Sequence, residues 1–295
     1  MSVEITHPDK VLFPEDGYTK ADMVGYYSAV ADVMLPHMKG HPLAMLRFNQ
    51  GIHGERFFHK QAPKYFPEFI ERVDVPKQKG KTTYPIVNNI DALLYVANHN
   101  TIEFHVLPVR ADDLWHPDRL VFDLDPSVED FDSVRDAALA LHDLLDELAL
   151  ASFVMTSGSR GLHIWVPLDR KSTVDEVMSF VSAVATSLVE QHPDDLTTEF
   201  MKADRGSRIY VDVARNAPAQ HAVTPYSLRA KPGAPVATPI EWEDVRSASL
   251  AATLYTLADV PTRVGKTGDP WKDMRKSACS IKKAAKSLNQ GVSFS

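Results

Sequence analysis

Cysteine is almost missing from these 295 residues; Cys279 stands alone. One thiol excludes an intrachain disulfide and any zinc site built on cysteines. Long apolar runs are missing too, and nothing approaches the roughly 18 residues of a membrane span. The start, Met1-Ser-Val-Glu, has neither the basic residues nor the apolar stretch of a secretory signal. There is no internal repeat, and no clear linker before about residue 260. Basic charge is in deficit, with a net charge of -7. That weighs against nucleic-acid binding, but net charge averages over the surface and a local patch decides. The expectation is a soluble, cytoplasmic protein with no membrane partner. Its 44% hydrophobic content is enough for one large or two small domains with a substantial core.

The lysines are not scattered evenly. Lys77, Lys79 and Lys81 flank a glycine, in a stretch (76–83) that reads as a flexible basic loop. Lys266, Lys272, Lys276, Lys282, Lys283 and Lys286 crowd the end, so 261–295 reads as a basic C-terminal tail after a domain of residues 1–260. Thr19 and Asp22 form a capping box for a helix over about 20–35, stopped by Pro36 and Gly40. Asn89 caps a short helix to about Ala97. Amphipathic periodicity predicts helices over 132–148, 173–190 and about 241–257. Strands are expected at 43–48, 101–106, 153–156 and 162–166, with a further strand-like stretch at 224–229. Helices and strands mix without strict alternation. The fold class is therefore α+β (mixed α/β), with mixed or antiparallel sheets flanked by helices.

The most informative segment is Arg119-Leu-Val-Phe-Asp-Leu-Asp-Pro126. Leu120, Phe122 and Leu124 alternate with other positions, as in a strand, so Asp123 and Asp125 project from one face about 7 Å apart. Carboxylates this close repel and are most easily tolerated beside divalent cations. A second strand, Arg208-Ile-Tyr-Val-Asp-Val-Ala214, sets Asp212 opposite Ile209, Val211 and Val213. Three acids on two strands suit two-metal phosphoryl transfer. The bland alternative is an exposed edge strand.

Between them lies Thr156-Ser-Gly-Ser-Arg-Gly-Leu-His-Ile-Trp-Val166. Its two glycines permit close backbone approach to a phosphate, and successive amides can form an anion nest; the plain alternative is an ordinary glycine-rich turn. Ser157, Ser159 and Arg160 add donors, and His163 faces away from Leu162, Ile164 and Val166, toward the acids if the strands align. Arg205, Arg208, Arg215 and Arg229 suit bidentate phosphate contacts, or plain surface salt bridges. His105 can bind phosphate or sugar, or serve structure. Phe57 and Phe58, beside Arg56 and Lys60, are either core residues or a platform on which bases stack.

Phe122-Asp-Leu-Asp-Pro126, Ser157-Gly-Ser-Arg-Gly-Leu-His163 and Tyr210-Val-Asp-Val-Ala-Arg-Asn216, in this order, resemble the three motifs of the archaeo-eukaryotic primase superfamily. The closer similarity is to the polymerase domain of bacterial ligase D, which acts in non-homologous end joining. His7-Pro-Asp-Lys-Val-Leu-Phe-Pro14, Thr19-Lys20, Phe57-Phe58, Lys202-Ala-Asp-Arg205 and Tyr226-Ser-Leu-Arg229 extend it to about residue 260. The resemblance implies that Asp123, Asp125 and Asp212 are catalytic and bind two metal ions, Mn2+ or Mg2+. It implies that His105, Ser157, Arg160, His163, Arg205 and Arg229 hold the nucleoside triphosphate. Lys10 and Lys20 would take the 5′-phosphate of a downstream strand. Phe57, Phe58, Lys60, Lys77, Lys79 and Lys81 would contact DNA. Relatives commonly carry lysine in place of Arg160 and glutamine in place of Arg215, which leaves the role of Arg215 open. The ligase nucleophile motif Lys-X-Asp-Gly is absent.

The resulting expectation is a bacterial, nucleoid-associated nucleotidyltransferase that extends primers and fills short gaps at DNA breaks, preferring ribonucleotides. Ku and a separate ligase are implied as partners. A de novo primase, a metal-dependent nuclease, a non-catalytic end-binding module and a sugar-nucleotide transferase use subsets of the same residues.

Overall fold

The computed structural model describes residues 4–289 and divides into two compact units. Of the described residues, the first comprises 4–112, 221–238 and 253–269; the second comprises 113–220, 239–252 and 270–289. The fold is α+β, as expected. Among the described residues no helix is long and apolar enough to cross a membrane.

The first unit is built on a four-stranded antiparallel sheet, ordered Ala222–Val223, Thr101–Val106, Leu43–Phe48, Arg56–His59. Helices Lys20–Ala29 and Ile90–Asn98 pack together in this unit. Their starts follow the sequence signals. Thr19 Oγ1 accepts from the Asp22 amide while the Asp22 carboxylate accepts from the Thr19 amide, and Asn89 accepts from the Ala92 amide.

Several boundaries differ from the periodicity. The first helix closes at Val30, and a second, Ala31–Met38, runs through Pro36 and stops at Lys39 and Gly40, the latter at φ 81°. The stretch 76–83 is mostly not a loop. Strands Glu71–Pro76 and Lys81–Ile86 pair from Glu71↔Ile86 to Pro76↔Lys81, leaving only 77–80 as the turn. No strand forms over 224–229: the strand Ala222–Val223 ends just before it, and only an isolated bridge joins Leu228 to Val236.

The second unit carries a six-stranded mixed sheet ordered Leu196–Thr197, Ile209–Asp212, Arg119–Asp125, Leu162–Pro167, Phe153–Thr156, Pro239–Ile240. The first pair is parallel and the others are antiparallel. Helices Phe131–Glu147 and Val174–Gln191 bury Val134, Leu141, Leu145, Val177, Val181 and Val184, the stripe expected from their periodicity. The helix expected over 241–257 is only Trp242–Val245. Ser247 and Ser249 hydrogen-bond each other there, and the Ser249 amide donates to Ser247 Oγ. Such local bonds compete with helix continuation.

Helix Asp259–Thr267 crosses into the stretch expected as a tail, Lys282–Asn289 is also helical, and Trp271, Met274, Ile281 and Ala284 are buried. Residues 290–295 lie outside the described residues.

Candidate active site

Strand Arg119–Asp125 sits at the centre of the second unit's sheet, and its register sets the site. Asp123 is opposite His163 on one neighbour and opposite Asp212 on the other. Cross-strand partners share a face, so the three side chains form one row, with Asp125 two positions along on the same side. The strands are otherwise apolar and buried, which takes Asp123, His163 and Asp212 with them to between 5% and 8% exposure.

Charges buried this deeply need partners. Asp123 Oδ1 is 3.2 Å from His163 Nε2, and Asp123 Oδ2 accepts from Arg215 Nε at 3.2 Å. Arg215 Nη2 also lies 3.6 Å from Asp212 Oδ2. Burial alone would raise the Asp123 carboxyl, but His163 and Arg215 outweigh it and hold it well below the usual carboxylate range. Asp125 is pushed the other way, by burial first and then by the Asp123 charge. Environments that separate neighbouring carboxylates in this manner characterise chemical sites. His163 Nδ1 is buried with no hydrogen-bond partner among the described residues.

The hairpin before His163 is shaped for its own closure. Ser157 Oγ accepts from the amides of Ser159 and Gly161, so those two donors, expected to face a phosphate, close the turn instead. Gly158 adopts φ 61° in that turn. Gly161 serves the neighbouring strand: a Cβ there would stand 1.8 Å from Leu124 O. The side chain of Arg160 is about half exposed, with Nη2 3.9 Å from Asp125 Oδ1. Arg205 is committed to its loop. Its guanidinium donates to the carbonyls of Glu199 and Phe200 and stacks 3.7 Å over the Tyr210 ring, opposite Asp125 in the register.

His105 and Arg229 belong to the first unit. Sequence reading missed the group that holds both of them. Buried Glu103 takes His105 Nε2 at 2.9 Å, Arg229 Nε at 3.1 Å and the Ala230 amide at 2.9 Å. Burial would raise its carboxyl, yet His105 and Arg229 bring it down to about 2. The signal available was the i,i+2 spacing of Glu103 and His105 on one strand face.

The same unit carries the expected cationic residues. Lys20 is buried and donates to Thr6 Oγ1 at 2.8 Å. Burial, then Lys10 and Arg47, lowers its ammonium to about 8. Lys10 donates to the Asn49 carbonyl. Arg47, also missed, donates to His99 O and Tyr65 Oη. As strand neighbours, Phe57 and Phe58 leave opposite faces. Phe58 is 47% exposed, with Lys60 5.8 Å over its ring and His105 and His221 each 5.6 Å away edge-on. Phe57 is half-buried against His59. Lys77 and Lys79 are exposed on the 77–80 turn, and Lys81 pairs with Asp74.

The acids offer hard oxygen donors, the kind that Mg2+ and Mn2+ prefer, so the donor chemistry fits a divalent cation. With Arg215 between them, however, no three His, Cys, Asp or Glu side chains among the described residues converge as a ready metal cage.

A mixed sheet with this row of acids on adjacent antiparallel strands is the core of a primase-polymerase fold. Residues 19–271 match the family model described as LigD, primase-polymerase domain, and the chain belongs to that family. It is 34% identical over 270 residues to the multifunctional non-homologous end joining protein LigD of Mycolicibacterium smegmatis, covering 90% of this chain and 35% of that protein. It is 31% identical to the bifunctional LigD of Bacillus subtilis, covering 92% and 44%. The chain thus spans less than half the length of these curated relatives. Among solved structures it is similar to the polymerase domain of Mycobacterium tuberculosis ligase D in complex with DNA. That match has a TM-score of 0.88 and 32% identity, covering 94% of this chain and 99% of that one.

Proposed function

We propose that this chain is a template- and metal-dependent nucleotidyltransferase that extends primers and fills short gaps at DNA double-strand breaks in non-homologous end joining. We further propose that it favours ribonucleotides, recognises a downstream 5′-phosphate, and works in the bacterial cytoplasm on nucleoid DNA with Ku and a ligase. The observation that carries this reading is the row of Asp123 and Asp212 with His163, all three buried on adjacent strands, and partly exposed Asp125 two positions along the same face.

Two divalent cations, Mn2+ or Mg2+, held by Asp123, Asp125 and Asp212, would supply charge neutralisation and a lower pKa for the primer 3′-hydroxyl. The side chains do the rest. His163 fixes the orientation of Asp123. Arg160, exposed beside Asp125, offers a fork to the triphosphate. Ser157 sets the turn that aims Arg160. Glu103 orients His105 and Arg229 as further nucleotide ligands. Lys10 and Lys20 bind the 5′-phosphate, and Phe58 stacks on a template base with Lys60 alongside.

The test is extension of an end-labelled primer on gapped DNA, with Mn2+ or Mg2+ and with ribo- or deoxyribonucleotides. Lengthening of the label supports the reading. Shortening would mean a metal-dependent nuclease built on the same acids, and synthesis only without a primer would mean a primase.

A further inference from the structure

Arg215 is the one residue of the acid row whose part is still open. It reaches the row because of a clamp. The turn Ala214–Asn216 follows the Asp212 strand directly. Asn216, 1% exposed, accepts from the Val121 amide at 2.8 Å and donates to the Val121 carbonyl at 2.7 Å. That fastens the turn to the strand of Asp123. The guanidinium is thereby laid across both Asp123 and Asp212, at 3.2 and 3.6 Å. Both carboxylates are nearly dry, whereas the Arg215 side chain is 38% exposed and has a way out to solvent.

We infer that Arg215 is a resident counter-cation which holds the acid row together without metal and which divalent cations must displace in order to bind. Three carboxylates in a row would repel each other if no cation stood among them. The guanidinium supplies that cation from within the chain, and a fork can serve two carboxylates at once. Its cost is competition. Each carboxylate it neutralises is a donor that an incoming ion has to win. The inference rests on the metal-dependent reading above.

The experiment compares wild type with Arg215→Met, which keeps the volume of the stem and removes the charge. Manganese affinity is measured without nucleotide or DNA by electron paramagnetic resonance, and thermal melts are run with EDTA and with saturating Mn2+. The variant should bind Mn2+ at least about tenfold more tightly. It should melt several degrees lower in EDTA and close to wild type with Mn2+. Equal or weaker manganese binding by the variant overturns the inference and leaves the metal reading standing. No manganese binding by either protein removes both.

A second measurement needs no variant. In nitrogen-15 arginine-labelled wild type, the Arg215 Nε–H resonance should shift when Mg2+ is added to saturation. A resonance unmoved at saturation also overturns the displacement.

Discussion

Replacing Glu103 by Gln keeps the shape and removes the charge on which His105 and Arg229 converge. All three side chains are largely out of solvent, between 7% and 17% exposed. Breaking a buried pair by neutralising one partner leaves the other charge, here the Arg229 guanidinium, uncompensated, which costs about 3–5 kcal/mol. The carboxyl itself gives a second measure. It falls from 4.5 to about 2 on folding, and that difference is worth about 3 kcal/mol. Because the folded value is the lower one, this stability is fully present above about pH 5. It is lost as pH falls through 4.5 toward 2, where the folded carboxyl also takes up its proton. Urea unfolding of both proteins, from pH 7.5 downward, should therefore show a gap of several kcal/mol that holds to about pH 5 and narrows below it. The variant should also need more nucleotide, with KM raised about tenfold or more, since a hydrogen bond to a charged group contributes about 1.5–3 kcal/mol. A gap under 1 kcal/mol at pH 7.5, or one that does not change with pH, would refute this account of Glu103.

Two glycines should respond in opposite senses. Gly161→Ala forces a methyl to 1.8 Å from Leu124 O, next to Asp125. It should lower stability by about 1–3 kcal/mol and activity by about a hundredfold. Gly25→Ala, inside helix Lys20–Ala29 with nothing within 4 Å of the new methyl, should raise stability by about 0.4–1 kcal/mol in the same melts. The preference for a 5′-phosphorylated gap should be strongest below pH 8 and weaken toward pH 9 as Lys20 loses its proton. Lys20→Ala should lack that preference at both pH values in a competition binding assay. Phe58→Ala should weaken binding to gapped DNA by about tenfold or more with little change in melting temperature. Phe57→Ala should instead show mainly in the melt.

The acid row was legible because period-two alternation fixes which strand residues share a face, and Asp123, Asp125 and Asp212 each stand among apolar alternates. Two helices announced themselves through their caps, at Thr19 and Asn89, and those starting at Phe131 and Val174 through their apolar periodicity. What could not be read depends on which strands become neighbours. Nothing near Glu103 in the sequence points to Arg229, 126 residues away. Nor does the chain reveal that Asn216 would pin Arg215 to the strand of Asp123. Gly161 read as a phosphate-facing glycine because its true reason, the Leu124 carbonyl, appears only once the strands are paired. The doublet Phe57-Phe58 read as either core or stacking platform, and the strand divides the two roles, since adjacent strand residues part to opposite faces and Phe58 is the exposed one.

If the acid row performs nucleotidyl transfer, Asp125→Ala disables it most directly. Single-nucleotide addition to a labelled primer on gapped DNA should fall by several orders of magnitude, while the affinity for that DNA stays within about twofold of wild type. Extension within tenfold of wild type, from protein that folds and binds DNA normally, would contradict it.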